Sequence, residues 1–184
     1  MCLVINENIH EERMSYRDYT KLPKPFITQK DIHCLKVLLK VLKRTEKGWI
    51  TPFIKSSVPF NNGVATLEVE KSRKKFPFGF EYDVYGKQYL VNEGIHSLGY
   101  KNYGYIDYQC CFFEAIIPKG SIIYFGMAGD IVSDKLLVFE NKKQYKEYIK
   151  DKDVFDVTKT PLLSFVQRFK GTKVSKESIV TYYE

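Results

Sequence analysis

Cys110 to Ile117 is an almost continuous apolar run of the length of a strand, and it ends at Pro118-Lys119-Gly120. A short apolar run closed by turn residues reads as a strand buried on both faces, the centre of a sheet rather than its edge. Proline presets φ at such a turn and glycine accepts the left-handed position. Ser121 to Phe125 then reads as the returning arm of a hairpin, Gly126 to Asp130 as a second turn, and Lys135 to Phe139 as a further strand.

Upstream, Phe78, Phe80, Tyr82 and Val84 alternate with Gly79, Glu81 and Asp83, the period of two that puts alternate residues on opposite faces of a strand. Gly86-Lys87 suits a two-residue turn, with Gln88 to Val91 returning. Gly94 to Leu98 and Ala65 to Val69 are further extended pieces, as is Cys2 to Ile5. Residues Ile32 to Lys43 fit two templates. Leu35, Leu38, Leu39 and Leu42 make a helical stripe, and Leu35, Val37, Leu39 and Val41 make a strand face. Two valines and the turn at Arg44 to Gly48 favour the strand, with Trp49 to Phe53 as its partner. Leu22-Pro23-Lys24-Pro25 stays extended, and His10 to Arg17 suits a helical turn.

Helical signals come late. Asn141 suits the cap of a helix through Tyr145, Tyr148 and Ile149. Thr160-Pro161 begins a second, with Leu162, Phe165, Val166 and Phe169 on one stripe and Gly171 as its stop. Val174 to Glu184 reads as a terminal strand or a tail. The expected architecture is α+β: a mainly antiparallel sheet in residues 1–140, with residues 141–184 as a helical extension packed on the same domain. The length of 184 residues suits one domain, and the 14 Tyr and 13 Phe lean the composition towards strands.

Chemistry-bearing residues are few. Cys2, Cys34, Cys110 and Cys111 lack the spacing of a zinc site or a disulfide framework, and buried reduced thiols fit a reducing compartment. Cys2 is followed by Leu3, where an amidotransferase start has glycine. No P-loop, GxGxxG, HExxH, GxSxG or EF-hand pattern occurs, so no cofactor and no metal are expected. His96, between Glu93 and Ser97, is the imidazole to watch. With Glu93, Tyr124 and Ser133 it would form a pocket if the four converged. The plainer reading has His96 bonded to a backbone carbonyl and Ser133-Asp134-Lys135 as a polar turn.

The formal charge of +7 permits a nucleic-acid or other anionic partner. Lys71, Arg73, Lys74 and Lys75, beside Phe76 and Phe78, are the first candidates, with Lys142, Lys143 and Lys146 next. The plain alternative is a solvated basic surface. No apolar run approaches the length of a membrane span, and no secretory signal is expected.

Four motifs carry a resemblance: Met1-Cys2-Leu3-Val4-Ile5 with Ile9-His10, Glu93 to Ser97, Ile117 to Ser121 with Tyr124, and Asp130 to Leu136. The chain resembles a family of small bacteriophage and gut-bacterial proteins in these motifs, from the amino terminus to Phe139 with gaps. The resemblance implies a phage or mobile-element origin and carries no activity with it. The leading expectation is a non-enzymatic binding protein with a protein partner or self-assembly: a virion component, a host-directed inhibitor or an accessory module. It would lie in the host cytoplasm or within a phage particle. A ligand-binding protein or enzyme with a pocket at His96, and a basic nucleic-acid binder, are the alternatives.

Overall fold

β3 (Asp31–Val41) is the spine of the molecule and is buried without interruption from Ile32 to Leu38. It pairs antiparallel with β9 (Cys110–Ile117), Ile32 opposite Ile117 and Leu39 opposite Cys110. Two-sided burial explains why both templates fitted its sequence: a strand covered on both faces has no polar face to expose its period. The computed structural model describes residues 3–4, 25–41, 48–52, 55–69, 80–83, 88–91, 93–99, 110–126, 129–159 and 180–182.

Around β3 runs one long sheet. Its path is β14 (Val180–Tyr182), β2 (Phe26–Thr28), β10 (Ile122–Phe125), β11 (Asp130–Ser133), β8 (Ile95–Leu98), β3, β9, β12 (Lys135–Phe139) and β5 (Val64–Glu68). Two short strands join β3 off this path: β13 (Val154–Asp156) is parallel to its start, and β4 (Gly48–Ile50) is antiparallel to its end. β1 (Leu3–Val4), β7 (Gln88–Val91) and β6 (Phe80–Asp83) form a separate antiparallel sheet. α1 (Lys142–Ile149) is the one α-helix among the described residues. The architecture is β-rich and mainly antiparallel, and no described helix is long and apolar enough to cross a membrane.

The path is rolled. β11 and β12 are four strands apart along it yet consecutive in the chain, with only Asp134 between them. In a flat sheet that separation would be about 19 Å, whereas one intervening residue spans at most about 7 Å. Asp134 makes the corner. Its N–H donates to the Ile122 carbonyl (3.1 Å), its carbonyl accepts from the Val69 N–H (2.9 Å), and its Oδ1 accepts from the Ile122 N–H (2.9 Å). Rolling brings the inner faces of both halves together. Phe26, Ile123, Phe125 and Ile131 from one half pack with Ile32, Leu38, Ala115, Ile117, Leu136 and Val138 from the other, all at most 1% exposed. Burial on this scale is the main stabilising contribution.

The hairpin expected across Pro118-Lys119-Gly120 does not form: β9 pairs with β3 and β12, and β10 with β2 and β11. The turn's polar groups engage the β2–β3 connection instead. Thr28 donates its N–H to the Ser121 carbonyl (3.0 Å), and the Thr28 carbonyl accepts from Gly120 (2.8 Å). The Thr28 hydroxyl donates to Pro118 (2.9 Å), and Asp31 Oδ1 accepts from the Lys119 N–H (2.8 Å). These bonds carry β10 away from β9 and onto β2. The stretch after Asn141 supplies strands β13 and β14 as well as a helix, because three-residue edges of β3 and β2 are open to pairing there. The second expected helix, at Leu162 to Phe169, lies outside the described residues, as does His10 to Arg17.

Candidate functional site

The register of β3 sets out a polar cluster on the outer face of the roll. Ile32, Cys34, Lys36 and Leu38 face inward, so Asp31, His33, Leu35 and Val37 face outward. Asp156 lies opposite His33 on β13, and Glu114 lies opposite Leu35 on β9, one position along the same face. His33 therefore sits between two carboxylates from two neighbouring strands. Its Nδ1–H donates to Asp156 Oδ1 at 2.8 Å and its Nε2–H to Glu114 Oε2 at 2.6 Å. The Tyr145 ring of α1 stacks on the imidazole at 4.6 Å between centroids. Asp156 Oδ1 also accepts from the Thr158 N–H and hydroxyl (2.8 and 2.6 Å), and Lys159 Nζ stands 3.8 Å from Asp156 Oδ2.

Burial on its own would lower the His33 pKa. The bonds and charges of Asp156 and Glu114 outweigh it and raise the pKa to about 9. Asp156 is held down at about 2: burial pushes it up, and the bonds from His33 and Thr158 more than offset that. Glu114 is lowered as well, chiefly by its bond from His33. At neutral pH this is an imidazolium with both N–H groups engaged. It has no lone pair to take a proton or bind a metal. What it does is fasten: β3, β9, β13 and α1 meet at one side chain.

A second fastening lies two residues earlier. Asp31 accepts from the Lys119 N–H through Oδ1 and from the Tyr148 hydroxyl through Oδ2 (3.1 Å). Tyr145 and Tyr148 both pack against Phe139, at 5.8 and 5.2 Å. Asn141 caps α1, accepting from Lys143 and Gln144. Lys30 pairs with Asp153 just beyond the helix (2.9 Å).

On the inner face Lys36 is 6% exposed and its ammonium reaches the His96 carbonyl at 2.5 Å. β3 and β8 share one register pair, Leu35 with Leu98. Beyond it Lys36 supplies a donor where a ladder N–H would stand. Burial lowers its pKa to about 8, and burial likewise pushes the Cys34 thiol up to about 12.

The four residues of the expected pocket fall on both faces of the sheet. Tyr124, Val132 and His96 are consecutive register partners and share the outer face, while Ser133 lies on the inner one. Tyr124 is fully buried, which raises its pKa, and Ser133 is fully buried with its hydroxyl on the Lys135 carbonyl (2.8 Å). His96 is half-buried on β8, and Glu93 precedes it at the bend entered through Gly94, whose φ is +98°. Lys71, Arg73, Lys74 and Lys75 lie outside the described residues; Lys142, Lys143 and Lys146 are exposed on α1. Cys34 is buried and Cys111 exposed, both as free thiols. No group of His, Cys, Asp and Glu among the described residues is disposed to hold a metal ion.

The cluster that does form, His33 with Glu114 and Asp156, was not singled out in the sequence. Its signal was present: Glu114 interrupts the apolar run of β9, and His33 and Lys36 interrupt that of β3. An ionisable residue inside a buried strand must find partners there. Together the fold and the cluster define, among the described residues, a rolled, mainly antiparallel β-structure with one short helix clamped to its outer face. Comparison with protein-family models, curated proteins and solved structures finds no match for this chain.

Proposed function

We propose that this chain is a non-enzymatic binding protein that engages a protein partner through the surface around α1. The observation that carries the reading is the His33 clamp. A buried imidazolium with a carboxylate on each nitrogen suits holding elements rigidly in place, and the element it holds is an exposed, charged helix. Rigid presentation lowers the entropy lost on association. The other ionisable groups with strongly shifted pKa are also tied into the fold: Lys36 bonds a carbonyl, and Cys34 and Tyr124 are fully buried. On the phage-type origin that the motifs imply, the partner is a virion or host component.

The test is cross-linking mass spectrometry with an amine-reactive linker on the protein in its source, together with size exclusion and light scattering. A reproducible partner, or a defined oligomer, cross-linked through α1 is the expected result. A monomer with no partner, whose small-molecule binding or turnover is abolished by His96→Ala, refutes the reading in favour of the pocket.

A further inference from the structure

Four lysines lie along one side of α1. At about 100° per residue, Lys142, Lys146, Lys150 and Lys143 occupy a single exposed arc of roughly a quarter turn. Glu147 falls on the next arc, Asp151 follows just past the C-cap Lys150, and Tyr145 and Tyr148 are turned onto the sheet. None of the four lysines closes an ion pair with a described carboxylate.

Helix stability favours Lys146 in the last turn, where the dipole accepts cations, and argues against the rest of this arrangement. Lys142 and Lys143 stand in the first turn, where the dipole favours acids, and that turn has none. Lys142 with Lys146, and Lys146 with Lys150, are like-charge pairs at i,i+4, which weaken a helix. Asn141 capping and the Tyr145 and Tyr148 anchors hold the helix in spite of it. The first-turn lysines break a local rule without a stabilising return, which points to recognition.

Resting on the reading above, we propose that the lysine arc of α1 docks an acidic segment of a protein partner. Charge complementarity names the acid. The neighbouring acids name the protein: Glu147 and Asp151 would repel a continuous phosphate backbone, whereas a protein face of mixed charge can match both signs. The helix's aromatic rings also face inward, so it offers no platform for stacking a base.

The test uses fluorescence anisotropy on the full chain at physiological ionic strength. The probes are a labelled glutamate-rich peptide and a labelled single-stranded oligonucleotide of equal charge. Lys146→Gln with Lys150→Gln removes two charges from the arc and leaves Lys142, which acts on Glu114 through space, untouched. Lys40→Gln with Lys55→Gln removes two exposed charges elsewhere. The arc variant is expected to weaken peptide binding about fivefold, the control variant to leave it unchanged, and Lys146→Arg with Lys150→Arg to retain it. Equal losses in both variants would reduce the effect to net charge and overturn the proposal, as would no peptide binding at all. Tighter oligonucleotide binding that the arc variant abolishes would replace the protein partner with a nucleic acid. A cross-linked partner that docks away from the arc would leave the binding-protein reading standing and sink this one.

Discussion

Replacing His33 with glutamine gives a sharp test of the clamp, because the clamp's contribution depends on pH with a sign that can be fixed beforehand. The pKa of His33 rises from 6.5 to about 9 in the folded chain, and the side chain is only 7% exposed. A raised folded pKa means that the folded state holds the proton more tightly. The resulting stability is fully present below pH 6.5 and is lost as pH rises through 9. The full shift corresponds to about 3 kcal/mol. The groups facing the imidazole do not reverse this. Asp156 and Glu114 are both lowered, so they stay ionised throughout the window, and Asp156 weakens the clamp only as pH falls through about 2. Tyr145, which burial raises to about 12, stays neutral. Lys142 and Lys159 stay at the margin of the cluster. The assay is urea unfolding of wild type and His33→Gln at pH 6 and pH 10. The stability difference is expected to shrink by roughly 3 kcal/mol between the two pH values. Whatever titrates elsewhere is common to both proteins and cancels. A difference that stays constant with pH, or a His33 resonance that titrates near 6.5, refutes the clamp as described.

Other outcomes follow from neighbouring residues. Lys36 has the opposite sign: its folded pKa, about 8, lies below the usual 10.5, so wild-type stability rises between those values and Lys36→Met abolishes the rise. At pH 10.5 that variant costs about 1–2 kcal/mol for the lost bond to the His96 carbonyl, and less at neutral pH, where burying an ammonium is itself unfavourable. Asp31→Ala removes the acceptor for both Lys119 and Tyr148; it is expected to cost about 1–3 kcal/mol and to speed amide exchange in α1 more than in β11. Gly63→Ala and Gly120→Ala form a contrast in thermal unfolding. Both have positive φ, and either substitution costs about 1–2 kcal/mol on that account. Space around Gly120 is open, but a Cβ at Gly63 would meet the Gln144 side chain, so Gly63→Ala is expected to cost more and to disturb α1. Equal costs would show that Gln144 yields freely.

Strand propensity was legible wherever the neighbours were local. β6 and β7 pair as expected, although Asp83 lies opposite Gln88, which leaves four residues between the strands where a two-residue turn was expected; β4 returns along β3, and Asn141 caps α1. Pairing between distant segments was not legible. Pro118-Lys119-Gly120 carries every residue preference of a hairpin turn, but its donors and acceptors satisfy Thr28 and Asp31, some 90 positions earlier. Turn chemistry fixes the bend of the chain and not the strand that accepts it. The cluster was hidden for a related reason. His33 meets Glu114 across 81 positions and Asp156 across 123, so no spacing motif could record it. It becomes visible only after the register of β3 with β9 and β13 is known.

That register also explains why β3 tolerates two cations three residues apart. Rolling the sheet covers its inner face with the core, and on its outer face Tyr145 of α1 lies over His33, so the strand is buried from Ile32 to Leu38. A charge on such a strand persists only by taking over a bond that the backbone leaves open or that joins one element to the next. Lys36 does the first, bonding β8 where the ladder stops after one pair. His33 does the second, joining β13 and α1 to a strand whose partner β9 lies on the other side. The distinction predicts how each site responds to an apolar substitute. At 36, methionine removes one bond, from Lys36 to the His96 carbonyl, in a core that is otherwise complete, a local defect. At 33, an apolar residue removes the bonded cation between Glu114 and Asp156 and leaves them only the more distant Lys142 and Lys159, and the helix loses its footing. The surface that α1 presents therefore depends on the imidazolium beneath it, and on the proposed binding function a His33 variant that still folds should lose partner binding before it loses the sheet.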